Sequence, residues 1–380
     1  MSNGFGKHLG AALALLLYPV IALAEWKLNL QTPNTLTGEK IYDLHTIITL
    51  ICVVVFVGVF GMMFYAVFKH RKSAGHKAAQ FHENTTVEII WTIVPAIILI
   101  AMAVPATKTL IEMRDTTEAE ITIKATGYQW KWGYDYLKGE GEGISFYSAL
   151  STPRDQIDGG NSEARKKNPN YLLEVDNPLV VPVGKKVRVL TTAQDVIHSW
   201  YVPSLAVKQD AVPGFIRDAW FKAERPGTYR GQCAELCGKD HGFMPIVVEV
   251  MDPGKYAAWV SEQKKNMQVA SIADSPTKAW GKDDLVARGE KVYKENCVAC
   301  HQATGMGLPG AFPALSGSKV VNGPKAAPIA LVLKGRPGTA MVSFARLSDV
   351  ELAAVITYAR NSWGNKVGDA VMPADVKASR

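Results

Sequence analysis

The sequence lacks dense runs of lysine and arginine, and it lacks any recognisable nucleic-acid-binding module. Its net charge is nevertheless +7, a balance that suits nucleic acid, an anionic membrane or an acidic protein partner. Because neither a basic tract nor a binding module accompanies this charge, we predict no nucleic-acid partner. The 380 residues are enough for two or three domains.

Cysteine is also scarce, with five residues in the whole chain. Cys52 stands alone, and the other four form two close pairs, Cys233/Cys237 and Cys297/Cys300. Close pairs in an exported protein can be disulfides. The residues around each pair therefore have to indicate whether the pair is a disulfide or part of a metal or haem site.

Charge is absent from residues 9–24, "LGAALALLLYPVIALA", which follow Lys7 and His8. The stretch ends in Ala22-Leu23-Ala24, a small-x-small cleavage pattern. We predict that residues 1–24 are an export signal and that the mature chain begins near Glu25. An uncleaved first membrane helix is the alternative.

Two longer runs also lack charge, residues 46–68 and 89–107. Each is long enough to cross a bilayer as a helix. We predict a transmembrane hairpin of helices 46–68 and 87–110 within the N-terminal segment 25–111. The loop between them carries four basic residues, which place it in the cytoplasm by the positive-inside rule; they are Lys69, Arg71, Lys72 and Lys77. Everything after the hairpin then faces the periplasm or the outer side.

Residues 112–252 are rich in β-branched and aromatic residues, broken by Pro and Gly turns. This pattern predicts a β-sandwich, with a polar surface insertion at 138–170. Residues 253–282 are predicted to be a linker, and 283–372 to form a small helical domain. Ser348 and Glu351 form a capping-box pair at the start of its last long helix.

Residues 231–244, "GQCAELCGKDHGFM", concentrate ligands for soft metals in the spacing C-x3-C-x3-H-x2-M. A blue-copper site needs one Cys, two His and a weak Met, so this set has one thiolate too many. Two thiolates can bridge two copper ions, each capped by one histidine. The predicted ligands are Cys233, Cys237, His198 and His241, with Met244 and the backbone carbonyl of Glu235 as weak outer ligands.

Two other interpretations of this loop stay open on the sequence alone. Cys233 and Cys237 could form a disulfide, or a single zinc ion could bind in a Cys2His2 shell. Zinc would leave Met244 and Glu235 without a role.

The second pair lies in "CVACH", residues 297–301, the C-x-x-C-H signature of covalent haem c attachment. Cys297 and Cys300 would add to the haem vinyl groups, and His301 would be the proximal iron ligand. A redox dithiol or a disulfide is the alternative. The sixth ligand should be a methionine, and we predict Met341 rather than the other candidates, Met306 and Met372.

Several strings resemble subunit II of cytochrome c oxidase, including "HSWYVPSL" (198–205) and "CAELCGKDHGFMPIVVEV" (233–250). "VEIIWTIVPAIILI" (87–100) and "GYQWKWGYDY" (127–136) match the same family in the same order, and the resemblance covers about residues 35–252. It implies a cupredoxin fold, a binuclear copper centre called CuA, and partner subunits: subunit I with the oxygen-reducing centre, and subunit III.

The resemblance also implies three further residue roles. Trp130 would be a surface residue that receives electrons from cytochrome c, and Glu235 would ligate a Mg2+ ion shared with subunit I. Glu88 would lie at the mouth of a proton-uptake channel. The alternatives are that Trp130 packs in the sheet and that Glu88 only complements a helix dipole.

Residues 283–363 resemble a class I cytochrome c domain. The predicted fold class is therefore multi-domain: a two-helix transmembrane hairpin, a cupredoxin-like β-sandwich and an all-α cytochrome c domain. No helix carries the several histidines that an oxygen-reducing centre needs. We predict subunit II of a proton-translocating oxidase in a bacterial inner membrane, which takes electrons from cytochrome c. A membrane-anchored electron shuttle without an oxidase partner is the alternative.

Overall fold

The computed structural model describes residues 29–75, 77, 80–157, 162–273, 275, 278–310, 312–336, 339 and 341–380. The predicted export signal, residues 1–24, lies outside the described residues. The chain divides into two compact units, Met1–Glu112 and Met113–Arg380.

Two long helices make up the described part of the first unit, α1 (Leu36–Lys69) and α2 (Thr85–Arg114). Both are long and apolar enough to cross a membrane, and most of their large apolar side chains are exposed, as lipid-facing residues are. The helices extend beyond the predicted spans because their polar end turns are helical too. Lys40 of α1 forms an ion pair with Glu112 of α2, which joins the two helices as a hairpin.

The second unit begins with a sandwich of two five-stranded sheets. One sheet has the order β3-β2-β1-β5-β8, and the other has the order β4-β10-β9-β6-β7. The strands are β1 (Ile121–Tyr128), β2 (Lys131–Lys138), β3 (Ser145–Ser148), β4 (Leu179–Pro182), β5 (Lys186–Ala193), β6 (His198–Val202), β7 (Val207–Ala211), β8 (Arg217–Lys222), β9 (Gly227–Cys233) and β10 (Pro245–Met251). The predicted β-sandwich is confirmed.

A strand with one buried face buries every second residue, and a strand covered on both faces buries successive residues. Alternate residues of β5 are buried, whereas the first four residues of β2 are all buried. Trp132, Tyr134 and Trp200 are among the largest fully buried side chains and fill the space between the sheets. This aromatic core gives the metal-binding loop a rigid base. The predicted insertion carries two short helices, α3 (Arg154–Ile157) and α4 (Ser162–Lys167).

The segment that we expected to be a linker starts as a helix, α5 (Pro253–Ala273). Its Tyr256 and Val260 are buried against the sandwich core. Lys264 Nζ donates a hydrogen bond to the carbonyl oxygen of Glu140 at 2.9 Å. The first half of the predicted linker therefore packs as part of the sandwich.

The helical region contains α6 (Lys282–Asn296), α7 (Val298–His301), α8 (Ala326–Lys334), α9 (Asp349–Arg360) and α10 (Pro373–Lys377). The predicted capping box at Ser348 and Glu351 is present at the start of α9. Val371 and Val376 are fully buried in the same core cluster as α6 and α9. The packed region therefore continues past residue 372, the predicted domain end.

Candidate metal and haem sites

Three neighbouring chain segments bring the predicted metal ligands together. His198 is the first residue of β6, and Cys233 is the last residue of β9. β6 and β9 pair with Trp200 opposite Cys233, so the histidine and the cysteine lie at the same end of one sheet. Cys237, His241 and Met244 follow in the loop that leads to β10.

The sulfur and nitrogen atoms of these residues converge at one place. The Sγ atoms of Cys233 and Cys237 are 3.8 Å apart, and both cysteines are free. Cys237 Sγ lies 3.5 Å from His241 Nδ1 and 3.5 Å from Met244 Sδ. Since a disulfide requires about 2.05 Å between sulfurs, this geometry is that of two separate thiols.

The other sulfur has a matching environment. Cys233 Sγ lies 3.9 Å from His198 Nδ1 and 3.3 Å from the carbonyl oxygen of Glu235. Each sulfur thus has one imidazole nitrogen and one weak donor within 3.9 Å. Two equivalent donor sets around a pair of thiols fit two soft metal ions better than one tetrahedral zinc.

The two thiols cannot both ionise easily without a cation. A hydrogen bond from Cys237 lowers the pKa of Cys233 far below its ordinary value. That same bond, together with burial, raises the pKa of Cys237 far above its ordinary value. Metal binding requires thiolates, so it would displace the remaining proton.

Asp195 holds His198 in its orientation, and sequence reasoning missed this residue. Its Oδ1 lies 2.8 Å from His198 Nε2, and its Oδ2 accepts a hydrogen bond from the Gln129 backbone N–H at 2.7 Å. Burial would lower the pKa of His198, but its hydrogen bonds to Asp195 and Cys233 raise it overall. Because Nε2 is engaged by the carboxylate, Nδ1 is the nitrogen that faces the sulfurs. A carboxylate behind a metal-binding histidine is a common arrangement, so the nearby "DVIH" sequence was the available signal.

Trp130 is buried, with 8% of its surface exposed. Its Nε1–H donates to the carbonyl oxygen of Cys237 at 3.2 Å, and Gln129 Nε2 donates to the same oxygen at 2.9 Å. The resemblance implied an exposed tryptophan. Here Trp130 belongs to the sandwich core and is tied directly to the metal-binding loop.

Gly127 is a second residue that sequence reasoning missed. A Cβ atom at this position would lie 2.6 Å from His198 Cδ2, and 2.8 Å from its Cγ. We expect Gly127→Ala to displace the His198 ring and to weaken copper binding about tenfold or more, as other supporting changes at metal sites do. Copper content of the purified protein, measured against chelator concentration, tests this.

Gly242→Ala is the matched control, because a Cβ there meets nothing within 4 Å although it lies in the metal-binding loop. Equal copper retention in the two alanine variants would contradict the prediction.

The two predicted acidic site residues are both exposed. Glu235 lies between the paired cysteines, beside Leu236, which is 77% exposed. Glu88 lies in the first turn of α2. Its Oε1 accepts a long hydrogen bond from the Asn84 backbone N–H at 3.4 Å. This contact agrees with the alternative that Glu88 stabilises the start of the helix. A role of Glu88 in proton uptake stays a prediction.

The C-x-x-C-H residues lie at the junction of α6 and α7. The His301 N–H donates to the carbonyl oxygen of Cys297 at 2.9 Å, so one helical turn joins the first cysteine to the histidine. His301 Nδ1 lies 2.9 Å from the carbonyl oxygen of Pro313. That carbonyl can only accept, so Nδ1 carries the proton and Nε2 keeps its lone pair. A histidine oriented in this way fits a proximal iron ligand.

The three candidate methionines differ in their surroundings. Met306 is 59% exposed, and the backbone N–H of Met372 donates to Asp375 Oδ2 at 2.9 Å, at the start of α10. Met341 is half-buried between α8 and α9. Its carbonyl oxygen accepts a hydrogen bond from the Arg336 N–H at 2.7 Å. The choice of Met341 as axial ligand stays a prediction.

Three protein-family models match the chain in succession. The transmembrane domain of cytochrome c oxidase subunit II matches residues 24–109, and the periplasmic domain of the same subunit matches residues 121–251. A third model, described as cytochrome c oxidase, cbb3-type, subunit III, matches residues 284–358.

Individual relatives agree with these matches. Cytochrome c oxidase subunit 2 of Cyanidium caldarium is 37% identical over 245 residues, which are 64% of this chain and 92% of that protein. The subunit 2 of Cereibacter sphaeroides is 42% identical over 212 residues, or 53% of this chain and 69% of that protein. A crystal structure of the periplasmic domain of subunit II from Bradyrhizobium japonicum is 42% identical. It covers 40% of this chain and 98% of that chain, with a TM-score of 0.34.

The comparisons agree with the paired thiols, the two apolar helices and the C-x-x-C-H helix. The family implies a copper centre in the sandwich and a haem in the helical domain. This chain therefore belongs to the cytochrome c oxidase subunit II family and is an oxidase subunit with a cytochrome c domain behind its periplasmic sandwich.

Proposed function

We propose that this subunit takes electrons from cytochrome c through its own haem c and passes them through the binuclear copper centre to subunit I. Oxygen is reduced there to water, with proton translocation across a bacterial inner membrane. Two copper ions held by Cys233 and Cys237 would supply a delocalised one-electron acceptor. The convergence of two free thiols, two imidazoles and a thioether in one place carries this proposal.

The position of the C-x-x-C-H residues supports electron transfer within the chain. Cys300 and Phe312 pack against the core cluster of the sandwich. Burial raises the pKa of the Cys300 thiol to about 11, and the carboxylates of Asp240 and Asp195 add to the shift. The second haem-attachment cysteine therefore packs against the domain that holds the metal-binding loop.

Residues of the metal-binding loop support a partner next to the copper site. Glu235 and Leu236 project from between the two cysteines and are exposed. We propose that Glu235 helps to hold Mg2+ at the contact with subunit I. We also propose that Glu88 lies at a proton-uptake channel in the assembled oxidase and that subunit III completes the complex.

Purification from membranes tests the proposed function. We expect about two copper atoms and about one haem iron per polypeptide, together with a co-purifying subunit that carries the oxygen-reducing haem. A chain that holds its copper and haem but purifies without such a subunit would be the membrane-anchored electron shuttle. Zinc in the thiol site would contradict both functions.

A methionine substitution tests the haem half of the path. Met341→Ala is expected to change the axial coordination of the haem and to lower its potential, because a thioether ligand raises the potential. Haem absorption spectra and a redox titration measure both effects. Met306→Ala is the control, because this side chain is 59% exposed. If only the control shifted the potential, the choice of Met341 would be wrong.

A further inference from the structure

A lysine of the sandwich is buried against the C-terminal end of α6, next to the C-x-x-C-H residues. Lys131 is the first residue of β2, and only 8% of its surface is exposed. Its Nζ donates to Asn296 Oδ1 at 2.6 Å and to the carbonyl oxygen of Glu295 at 3.4 Å. Those two residues end α6 and directly precede Cys297. Lys131 thus holds the chain at the point where haem attachment begins.

An arginine of the helical domain makes the reciprocal contact. Arg346 donates hydrogen bonds to the Asp135 carboxylate and to Ser145 Oγ, and its Nη2 lies 3.4 Å from the carbonyl oxygen of Tyr134. A Cβ at Gly133 would lie 2.8 Å from Arg346 Nη1. The bare glycine backbone therefore makes room for the guanidinium on the sheet surface.

The ring of Tyr147 lies close to both of these cations. Lys131 Nζ is 3.9 Å from the centroid of its ring, and Arg346 Cζ is 5.0 Å from the same centroid. The tyrosine comes from strand β3 of the sandwich but packs against the core cluster of the helical domain. An aromatic face stabilises a nearby cation most where water is excluded, as it is around Lys131.

We propose that Lys131, Tyr147 and Arg346 form an interdomain clamp that seats the haem domain on the sandwich and fixes the electron-transfer distance between the two centres. The inference rests on the proposed function and adds the residues that position its internal electron donor. They are positioning residues, because they join the sandwich to the helical domain and none of them is a predicted ligand.

The burial of Lys131 supports this role over a purely local one. A buried ammonium group loses its hydration, and that cost has to be offset by hydrogen bonds and nearby negative charge. The groups that offset it come from both domains: two oxygen acceptors of Asn296 and Glu295 on one side, and the aromatic ring of Tyr147 on the other. If the domains separated, Lys131 would lose two of these three partners and become exposed.

Amine labelling of the intact, membrane-purified protein tests the clamp without relying on turnover. With an amine-reactive reagent and mass spectrometry, we expect Lys131 to label slowly and Lys208, an exposed lysine on β7, to label fast. In Arg346→Gln the labelling of Lys131 should rise about tenfold, the effect of losing one charge-assisted hydrogen bond, while Lys208 stays unchanged. Arg346→Lys should restore part of the protection.

Arg288→Gln is the matched control, because Arg288 of α6 pairs with Glu351 of α9 inside the helical domain. It should leave Lys131 as protected as in the unmodified chain. Fast labelling of Lys131 in the unmodified protein, or labelling that does not change in Arg346→Gln, would overturn the clamp.

A kinetic experiment separates the clamp from the proposed function. The haem is reduced rapidly, and the rate at which the copper is then reduced is measured. Lys131→Gln and Arg346→Gln should slow this step about tenfold, with unchanged haem and copper absorption spectra. If the unmodified protein shows no haem-to-copper transfer, the proposed function fails whatever the labelling shows. If it transfers and both variants are equally fast, only the clamp fails.

Discussion

Replacing Cys233 or Cys237 with serine is expected to abolish the binuclear copper spectrum and to leave the haem c bands in place. Each sulfur has its own imidazole and weak donor within 3.9 Å, so losing one thiolate removes the bridge from both metal positions. A hydroxyl is a poor ligand for a soft metal ion. Electron paramagnetic resonance and copper analysis of the purified complex measure the effect.

Cys52→Ser is the control, because this cysteine lies in α1 and is exposed. It should keep the full copper signal. A mixed-valence copper signal that persists in both Cys233→Ser and Cys237→Ser would show that the ligand assignment is wrong.

Gly289→Ala is expected to destabilise the helical domain by about 2 kcal/mol, within the range for overpacked interiors. Gly289 is buried where α6 crosses α9, and a Cβ there would lie 2.1 Å from the carbonyl oxygen of Ala354. The neighbouring atom is backbone, so the helices have to move apart. The gain in helix propensity of about 1 kcal/mol from glycine to alanine offsets only part of this cost. Chemical denaturation followed by haem absorption measures the change.

Gly254→Ala provides the comparison for this steric effect. Gly254 lies in α5, and a Cβ there meets nothing within 4 Å. The substitution should leave the stability of the helical domain unchanged. If the Gly289→Ala protein were as stable as the unmodified protein, the prediction would be wrong. The helices α6 and α9 would then tolerate a wider separation than their contact suggests.

Much of the metal site follows from local spacing. Four of its predicted ligands lie within twelve residues, so one loop is enough to bring Cys233, Cys237, His241 and Met244 together. His198 is distant in sequence, and it joins them because β6 and β9 are neighbours in one sheet. His198 is a ligand predicted from the sequence, and the register of the strands explains why it reaches the sulfurs. The roles of all these residues as ligands stay predictions that the substitutions above test.

Asp195 and Gly127 show where sequence reasoning stopped. An aspartate three residues before a histidine is unremarkable until the fold turns its carboxylate onto the ring nitrogen. Gly127 is one of 32 glycines, and only the approach of His198 from another strand gives it a special role. The role of Gly127 depends on the distance between two segments that are far apart in the chain, whereas that of Asp195 depends on the local backbone conformation between residues 195 and 198.

By itself, the sequence determined the order and type of the parts: two charge-free spans, a β-rich region with a thiol loop, and a helical region with C-x-x-C-H. These features are local, because periodicity and ligand spacing act over one helix, strand or loop. Only the tertiary structure decided that Trp130 is buried, that α5 packs on the sandwich, and that Lys131 and Arg346 join two domains. Those outcomes depend on which distant parts of the chain pack together and exclude water. Such packing is a property of the whole folded chain and not of one helix, strand or loop.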